Sequence, residues 1–144
     1  MGPQAEAVAD AMADALNLRH APTPWHSARD NIAELGGVLT LLTGATGKMG
    51  TDMLQLMQSE VREVTAGVGG GSSTMPHKAN PVGPEALIAL ARANAGIVGR
   101  LYEAQLHAQE REGAAWALEW LTLPQIVIAA ATSLRHAQML AETL

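Results

Sequence analysis

Cysteine and phenylalanine are absent from this chain of 144 residues, and aromatic side chains make up only 3% of it. Without cysteine the chain can form no disulfide, no thiolate nucleophile and no cysteine-ligated zinc site. Strands favour β-branched and aromatic side chains, so the small aromatic content disfavours a β-protein. Residues that favour helices, chiefly Ala, Leu, Met, Gln and Glu, are plentiful. The composition therefore predicts an all-α protein, and the length predicts one domain.

Basic residues are also scarce, because nine Lys and Arg stand against fourteen Asp and Glu, for a net charge of −5. A chain without a basic excess is poorly suited to neutralise a nucleic-acid backbone, so we expect no nucleic-acid partner. No uninterrupted apolar run approaches the ~20 residues that cross a bilayer. Acidic Glu6, Asp10 and Asp14 stand near the N-terminus, where a signal peptide is basic and apolar. We therefore expect a cytoplasmic protein without a membrane partner.

Helical periodicity recurs along the chain between breaks that contain proline or glycine. Asn17 is placed to end the first helix, and Pro22 and Pro24 form a connector after it. In the third predicted helix Asn94 lies on the buried apolar face. In the fourth predicted helix Pro124 predicts a kink or a restart. The four predicted helices cover residues 3–16, 27–63, 87–108 and 115–140.

Apolar side chains recur at alternate spacings of three and four along the second helix, which is heptad spacing. A second apolar set broadens this face, so we expect the helix to contact more than one neighbour. Gly, Ala and Thr residues in the same helix weaken it intrinsically but permit close approach of another helix. The predicted stripe consists of Ile32, Leu35, Leu39, Leu42, Thr46, Met49, Met53 and Leu56, and the second set of Val38, Leu41, Ala45 and Met57.

A loop rich in glycine and serine, at about residues 65–81, separates the second and third helices. Free N–H groups of such a backbone can point at an anion, and Lys78 adds a positive charge beside them. The same donors can stabilise an alkoxide, which is what a serine needs to act as a base. A flexible Gly-Ser linker has similar composition, but a passive linker has no need of two prolines that bracket Lys78 and Asn80.

Residues 71–81 resemble the signature of the fumarase/aspartase superfamily, Gly-Ser-Ser-x-Met-Pro-x-Lys-x-Asn-Pro, at every fixed position. The resemblance implies that Ser72 is the general base that removes a proton from the carbon next to a carboxylate. It implies catalytic roles for Lys78, which would hold a substrate carboxylate, and for Glu85, which would pair with a histidine from another part of the fold. An exposed glutamate at a helix start is an equally ordinary interpretation of Glu85. The substrate-binding residues that the resemblance implies are Ser73, Thr74, Met75, His77, Asn80 and Arg111.

Four further segments flank this loop, at residues 25–30, 58–64, 110–113 and 116–124. They resemble the corresponding segments of the bacterial 3-carboxy-cis,cis-muconate cycloisomerase family within that superfamily. The resemblance implies interconversion of 3-carboxymuconate and its lactone by proton transfer next to a carboxylate. It implies neither a cofactor nor a metal, and His26, His77 and His107 show no metal-ligand spacing with carboxylates.

Members of the superfamily are considerably longer, so the resemblance implies that residues 1–144 are part of a central helical domain, without the family's upstream and C-terminal domains. It also implies a small polycarboxylate substrate and a homotetramer whose active sites combine residues from three subunits. We therefore expect the chain alone to be inactive, while its apolar helices associate with further copies. Two alternatives stay open: an adenylosuccinate lyase-type β-elimination that releases fumarate, and a non-catalytic helical oligomerisation module.

Overall fold

The computed structural model describes residues 2–21, 23–65, 70–71 and 79–143, of which 70, 71 and 79 only in their backbone. In that part of the chain five helices are joined by turns, and two short strands pair between the second and third helices. The prediction of an all-α fold is confirmed. The elements are α1 (Ala5–Ala15), α2 (Asp30–Leu56), β1 (Gly70–Gly71), β2 (Ala79–Asn80), α3 (Val82–Ile97), α4 (Gly99–Ala104) and α5 (Gly113–Glu142).

Residues with positive φ follow the ends of the first two helices. Asn17 has a φ of 53°, and the N–H of Leu18 donates to the carbonyl of Ala13 at 2.8 Å, so Asn17 follows α1 as predicted. After α2, Arg62 has a φ of 49° and the N–H of Glu63 donates back to a helix carbonyl at 3.0 Å. The predicted extension of the second helix to residue 63 is therefore wrong, because the chain turns back on itself there.

The third predicted helix is divided in two at Val98, which lies between Gly96 and Gly99, both weak helix formers. Its second part ends at Ala104, short of the predicted residue 108. The fourth predicted helix does not restart at Pro124, since α5 continues through that residue. Contacts with α2, α3 and α4 hold α5 in place.

Small residues of α2 form its contact with the other helices. A Cβ atom added at Gly50 would lie 2.6 Å from the carbonyl oxygen of Pro84, and one at Gly47 would lie 2.5 Å from the Cβ of Ala91. The glycines therefore allow the backbones of α2 and α3 to approach closely. The residues of α2 that are buried are Ala33, Gly36, Thr43, Gly47, Gly50 and Met53.

The predicted apolar stripe of α2 is only partly buried, because the chain's own helices cover the glycine side. Leu35 is 44% exposed, and Val38 and Leu41 of the second predicted set are 56% and 75% exposed. One side of α5 is apolar and exposed as well, through Trp120, Leu121, Val127, Ile128, Leu134 and Met139. The described structure thus leaves apolar surfaces of both α2 and α5 uncovered.

Polar side chains occupy the centre of the bundle. Asn94 is fully buried, which confirms its predicted position, and its amide donates to the carbonyl of Ile126 at 3.3 Å and to Thr43 Oγ1 at 3.4 Å. Thr46 and Ser133 share a hydrogen bond of 2.5 Å. The Asn94 Oδ1 atom has no hydrogen-bond partner among the described residues. The helices α2, α3 and α5 are thus linked by hydrogen bonds as well as by apolar contacts.

By length and composition α5 could cross a membrane, since one 18-residue window of it has a mean hydropathy of 1.4 with 28% of that window buried. Core helices of soluble proteins meet the same criterion. Here α5 packs against three other helices and holds the buried carboxylate of Glu119. The sequence lacks a long uninterrupted apolar run, although α5 is apolar on average. The absence of a membrane partner stays a prediction.

Candidate functional site

A two-stranded ladder joins the two ends of the signature loop. Gly70 pairs with Asn80 and Gly71 with Ala79, antiparallel, and Pro81 leads from the ladder into α3. Asn80, a predicted substrate-binding residue, is half-buried. The ladder thus fixes the base of the loop against the start of α3. The other predicted residues of the loop lie outside the described residues: Ser72, Ser73, Thr74, Met75, His77 and Lys78.

Glu85 lies in the first turn of α3, near the loop. Its N–H donates to the carbonyl of Pro81 at 3.1 Å, and its neighbour Pro84 is buried against α2. The side chain of Glu85 is exposed. Its carboxylate is therefore accessible from outside the bundle, at the same end as Asn80. Both interpretations of Glu85 from the sequence agree with this placement.

Arg111, the third described residue of the predicted site, is exposed in the turn between α4 and α5. Its neighbour Glu112 precedes the first residue of α5 and accepts a hydrogen bond of 2.6 Å from the N–H of Ala108 through Oε2. The carbonyl of Glu112 accepts from the N–H of Trp116 at 3.2 Å. The turn that carries Arg111 is therefore tied directly to the first turn of α5.

The structure places Arg111 far from Asn80 and Glu85. With 30 residues, α5 is roughly 45 Å long. Arg111 lies just before its N-terminus, whereas Leu140 near its C-terminus packs beside Gly83 at the start of α3. Arg111 and Glu85 are consequently more than about 30 Å apart. One small molecule cannot reach both groups in a single copy of the chain.

An ion pair at the Arg111 end of the bundle is a feature that the sequence analysis missed. Arg29 donates from Nη2 to Glu119 Oε1 at 2.6 Å and from Nε to Oε2 at 2.9 Å. The two side chains are only 14% and 7% exposed. The Trp25 ring lies 5.3 Å from the Arg29 guanidinium carbon, and the rings of His26 and Trp116 stack at 6.4 Å. We call these five residues the ion-pair cluster.

The turn between α4 and α5 also holds His107, whose two ring nitrogens are buried without a hydrogen-bond partner among the described residues. The Nε1 atom of Trp116 is likewise buried without a hydrogen-bond partner among the described residues. Buried polar atoms of this kind are uncommon because each loses hydrogen bonds to water. Within the described ranges, no group of three or more His, Asp or Glu side chains could hold a metal ion.

Comparison with known proteins identifies the family. A model of a lyase family matches residues 2–96. The 3-carboxy-cis,cis-muconate cycloisomerase of Pseudomonas putida is 44% identical over 99% of this chain and 34% of its own length. The nitrosuccinate lyase of Streptomyces davaonensis is 42% identical over 83% of this chain and 26% of its own length.

The fold agrees with this assignment. The crystal structure of β-carboxy-cis,cis-muconate cycloisomerase from Acinetobacter calcoaceticus sp. ADP1 matches 96% of this chain with a TM-score of 0.79 at 31% identity, and the match covers 30% of that structure. The chain spans about a third of the length of the curated relatives that it matches. On the sequence and the fold, the chain belongs to the lyase family of the fumarase/aspartase superfamily.

Proposed function

We propose that this chain is the signature-loop part of an enzyme that interconverts 3-carboxy-cis,cis-muconate and its lactone. The observation that carries the proposal is the 44% identity, over 99% of the chain, to a relative named for that reaction. The base of the signature loop and the start of α3, which present Asn80 and Glu85 at one end of the bundle, are consistent with it.

The chemistry uses the residues of the loop. Lactone formation adds a carboxylate oxygen to one carbon of a C=C bond and a proton to the other. In the reverse direction Ser72 removes the proton next to a carboxylate while the ring carboxylate leaves, so the C=C bond reforms. Negative charge develops on the substrate in either direction. Backbone N–H groups and Lys78 offset it, while Asn80 and Arg111 bind carboxylates, Arg111 in bidentate fashion.

Separation of the two ends of the bundle supports an oligomeric enzyme. Because Arg111 lies more than about 30 Å from Glu85 in one copy, a site that uses both must take them from different copies. The exposed apolar surfaces of α2 and α5 offer the contact area for such an assembly. We therefore propose a homo-oligomer, a tetramer by resemblance, that acts on a small polycarboxylate in the cytoplasm.

The test is loss of the conjugated diene of 3-carboxymuconate, followed by absorbance. The assay uses this chain at high concentration and a chimera in which the chain replaces the matching third of the Pseudomonas putida relative. The chimera is expected to consume the diene, and Ser72→Ala is expected to lower its kcat by about 10²–10⁴-fold, the usual contribution of a general base. A folded, assembled chimera without turnover, or one that Ser72→Ala leaves unaffected, would contradict the proposal.

The same assay includes the substrates of the alternative reactions. Adenylosuccinate and nitrosuccinate are offered to the chain and to the chimera, and fumarate or the corresponding elimination product is measured. Elimination without consumption of the diene would identify a lyase. Stable multimers of the chain, combined with an inactive chimera, would identify the non-catalytic oligomerisation module.

A further inference from the structure

The ion pair between Arg29 and Glu119 joins two distant parts of the chain, 90 residues apart, at the end of the bundle that carries Arg111. The two hydrogen bonds measure 2.6 and 2.9 Å, and the side chains of Arg29 and Glu119 are 14% and 7% exposed. A bidentate pair of this kind is directional, because the planar guanidinium and the carboxylate must be coplanar and in register. Apolar contacts lack this directionality. The pair therefore fixes both the rotation of α5 about its axis and its position along that axis.

The position of α5 directly determines the position of Arg111. Glu119 lies less than two helical turns from Gly113, the first residue of α5. Trp116, between them in sequence, stacks on His26. Glu112 then closes the turn through its bond from the N–H of Ala108. The ion pair and Arg111 are thus connected through the first turns of α5, the stack of Trp116 on His26 and the hydrogen bond that Glu112 accepts.

Stability alone is a weak reason for such a pair. Desolvation of two charges offsets most of their attraction, and apolar residues of similar size often stabilise a core equally well. Removal of one partner is costly because the other charge stays buried. A buried pair is therefore better suited to define one arrangement of the helices than to add stability. Here the arrangement it defines is that of the Arg111 turn.

We infer that Arg29 and Glu119 are positioning residues that hold Arg111 where it can bind a substrate carboxylate. The inference rests on the proposed function of Arg111. Trp25 covers the guanidinium of Arg29 and His26 covers the indole of Trp116, so the ion-pair cluster acts as one unit. Neither Arg29 nor Glu119 contacts substrate in this role.

The first test measures the turn itself in the 144-residue chain. Amide hydrogen exchange is followed in the chain and in the variant Arg29→Met with Glu119→Leu, which replaces the pair by apolar side chains of similar length. The amides of residues 107–112 are expected to exchange about tenfold faster, while those of α2 and α3 keep their rates. Lys48→Met, which removes the exposed Lys48–Asp52 pair, is the control and leaves the turn unchanged. Unchanged exchange at 107–112 would overturn the inference.

The second test separates positioning from stability by kinetics in the active chimera. The apolar double variant is expected to fold and assemble but to raise KM about tenfold, with kcat lowered less than about threefold, because Arg111 contributes binding in ground state and transition state alike. The exchanged pair Arg29→Glu with Glu119→Arg is expected to recover part of the KM. A KM within about twofold of the parent, or a loss that only follows the fraction of folded protein, overturns the inference.

The variant Arg111→Ala distinguishes failure of this inference from failure of the proposed function. If Arg111→Ala does not raise KM, the proposed role of Arg111 is wrong, and the inference falls with it. If Arg111→Ala raises KM while the ion-pair variants do not, only the positioning role is wrong. Where the chimera is inactive, hydrogen exchange in the chain still decides whether the pair orders the turn.

Discussion

Asn94 shows how a single polar residue can define the core. It lies fully buried between α2, α3 and α5, where its amide nitrogen has two acceptors and its carbonyl oxygen has no described partner. The Thr43 hydroxyl donates its proton to the carbonyl of Thr40 at 2.8 Å, so it does not need Asn94 as an acceptor. Loss of the Asn94 amide would thus leave no new unpaired donor in the core.

We therefore expect Asn94→Leu to raise the free energy of unfolding by about 1 kcal/mol, because it removes a buried carbonyl without a partner and leaves no new unpaired group. Asn94→Ala is the matched control and is expected to lower the same quantity by about 2 kcal/mol through the cavity it creates. Urea denaturation followed by circular dichroism measures both. A Leu variant less stable than the parent would show that Asn94 Oδ1 has a partner, such as a buried water molecule.

The buried ion pair gives a second prediction at this scale. Glu119→Gln is expected to lower the free energy of unfolding by about 3 kcal/mol, because Arg29 then keeps a buried charge without a counter-ion. The double variant Arg29→Met with Glu119→Leu is expected to lose less than about 1 kcal/mol. Thermal denaturation of both variants measures the difference. Equal losses in the two variants would contradict this prediction, because the buried charge of Arg29 lacks a counter-ion only in Glu119→Gln.

The burial of Asn94 can be predicted from the sequence, whereas the ion pair between Arg29 and Glu119 cannot. The burial of Asn94 follows from its three-and-four spacing with leucines on one helix, which is a local pattern. The pairing of Arg29 with Glu119 depends on the fold, since 90 residues separate them. In a sequence each is an ordinary charged residue near a helix end, and such residues are exposed in most proteins.

At the scale of elements, α2 has two sides with different roles. Gly47 and Gly50 face α3, whereas Leu35 and Leu41 on the other side are exposed. Heptad spacing predicted correctly that α2 has a broad contact surface, but not which side the chain itself would cover. A leucine side chain buries much more apolar area than a glycine, so a prediction based on apolar area places the leucines in the core. Close approach of two helix backbones depends on the absence of a side chain, and apolar area does not measure it.

Alanine substitutions along α2 test this assignment. Gly50→Ala is expected to lower the free energy of unfolding by about 1–3 kcal/mol, because its Cβ would lie 2.6 Å from a backbone oxygen of Pro84. Gly44→Ala is the control on the same helix. Outside the neighbouring backbone of its own helix, no atom lies within 4 Å of its added Cβ. Because alanine favours the helix, a gain of about 0.5–1 kcal/mol is expected. Chemical denaturation of both variants checks the signs, and equal effects would contradict the packing of α2 on α3.

For the whole molecule, the uncovered apolar surfaces predict self-association. Leu41 on α2 and Ile128 on α5 are 75% and 66% exposed, within apolar surfaces that the rest of the described chain leaves open. Analytical ultracentrifugation at micromolar concentration is expected to show multimers of the chain. Leu41→Glu combined with Ile128→Glu is expected to shift the population towards monomer, since charges are costly to bury in a contact. Lys48→Ala, another exposed position of α2, serves as the control, and a monomeric parent chain would contradict this prediction.

The candidate site could be predicted from sequence only in part. The motif at residues 71–81 is contiguous, so its residue types and spacing can be read without a structure, and the ladder places Asn80 at its base. Arg111 was grouped with the same site by resemblance alone. Its distance from Glu85 arises from the length and direction of α3, α4 and α5 together. Such a distance is a property of the assembled bundle, and no local pattern encodes it.

The long separation between the ends of the bundle has a consequence for genetics. Under the proposed roles, a defect in Glu85 and a defect in Arg111 damage different ends of a subunit. Two alleles with these defects, expressed in one cell, would form mixed oligomers in which some sites receive one intact end from each allele. Two inactive gene products would thereby restore part of the activity, whereas two alleles damaged at the same end would not complement each other.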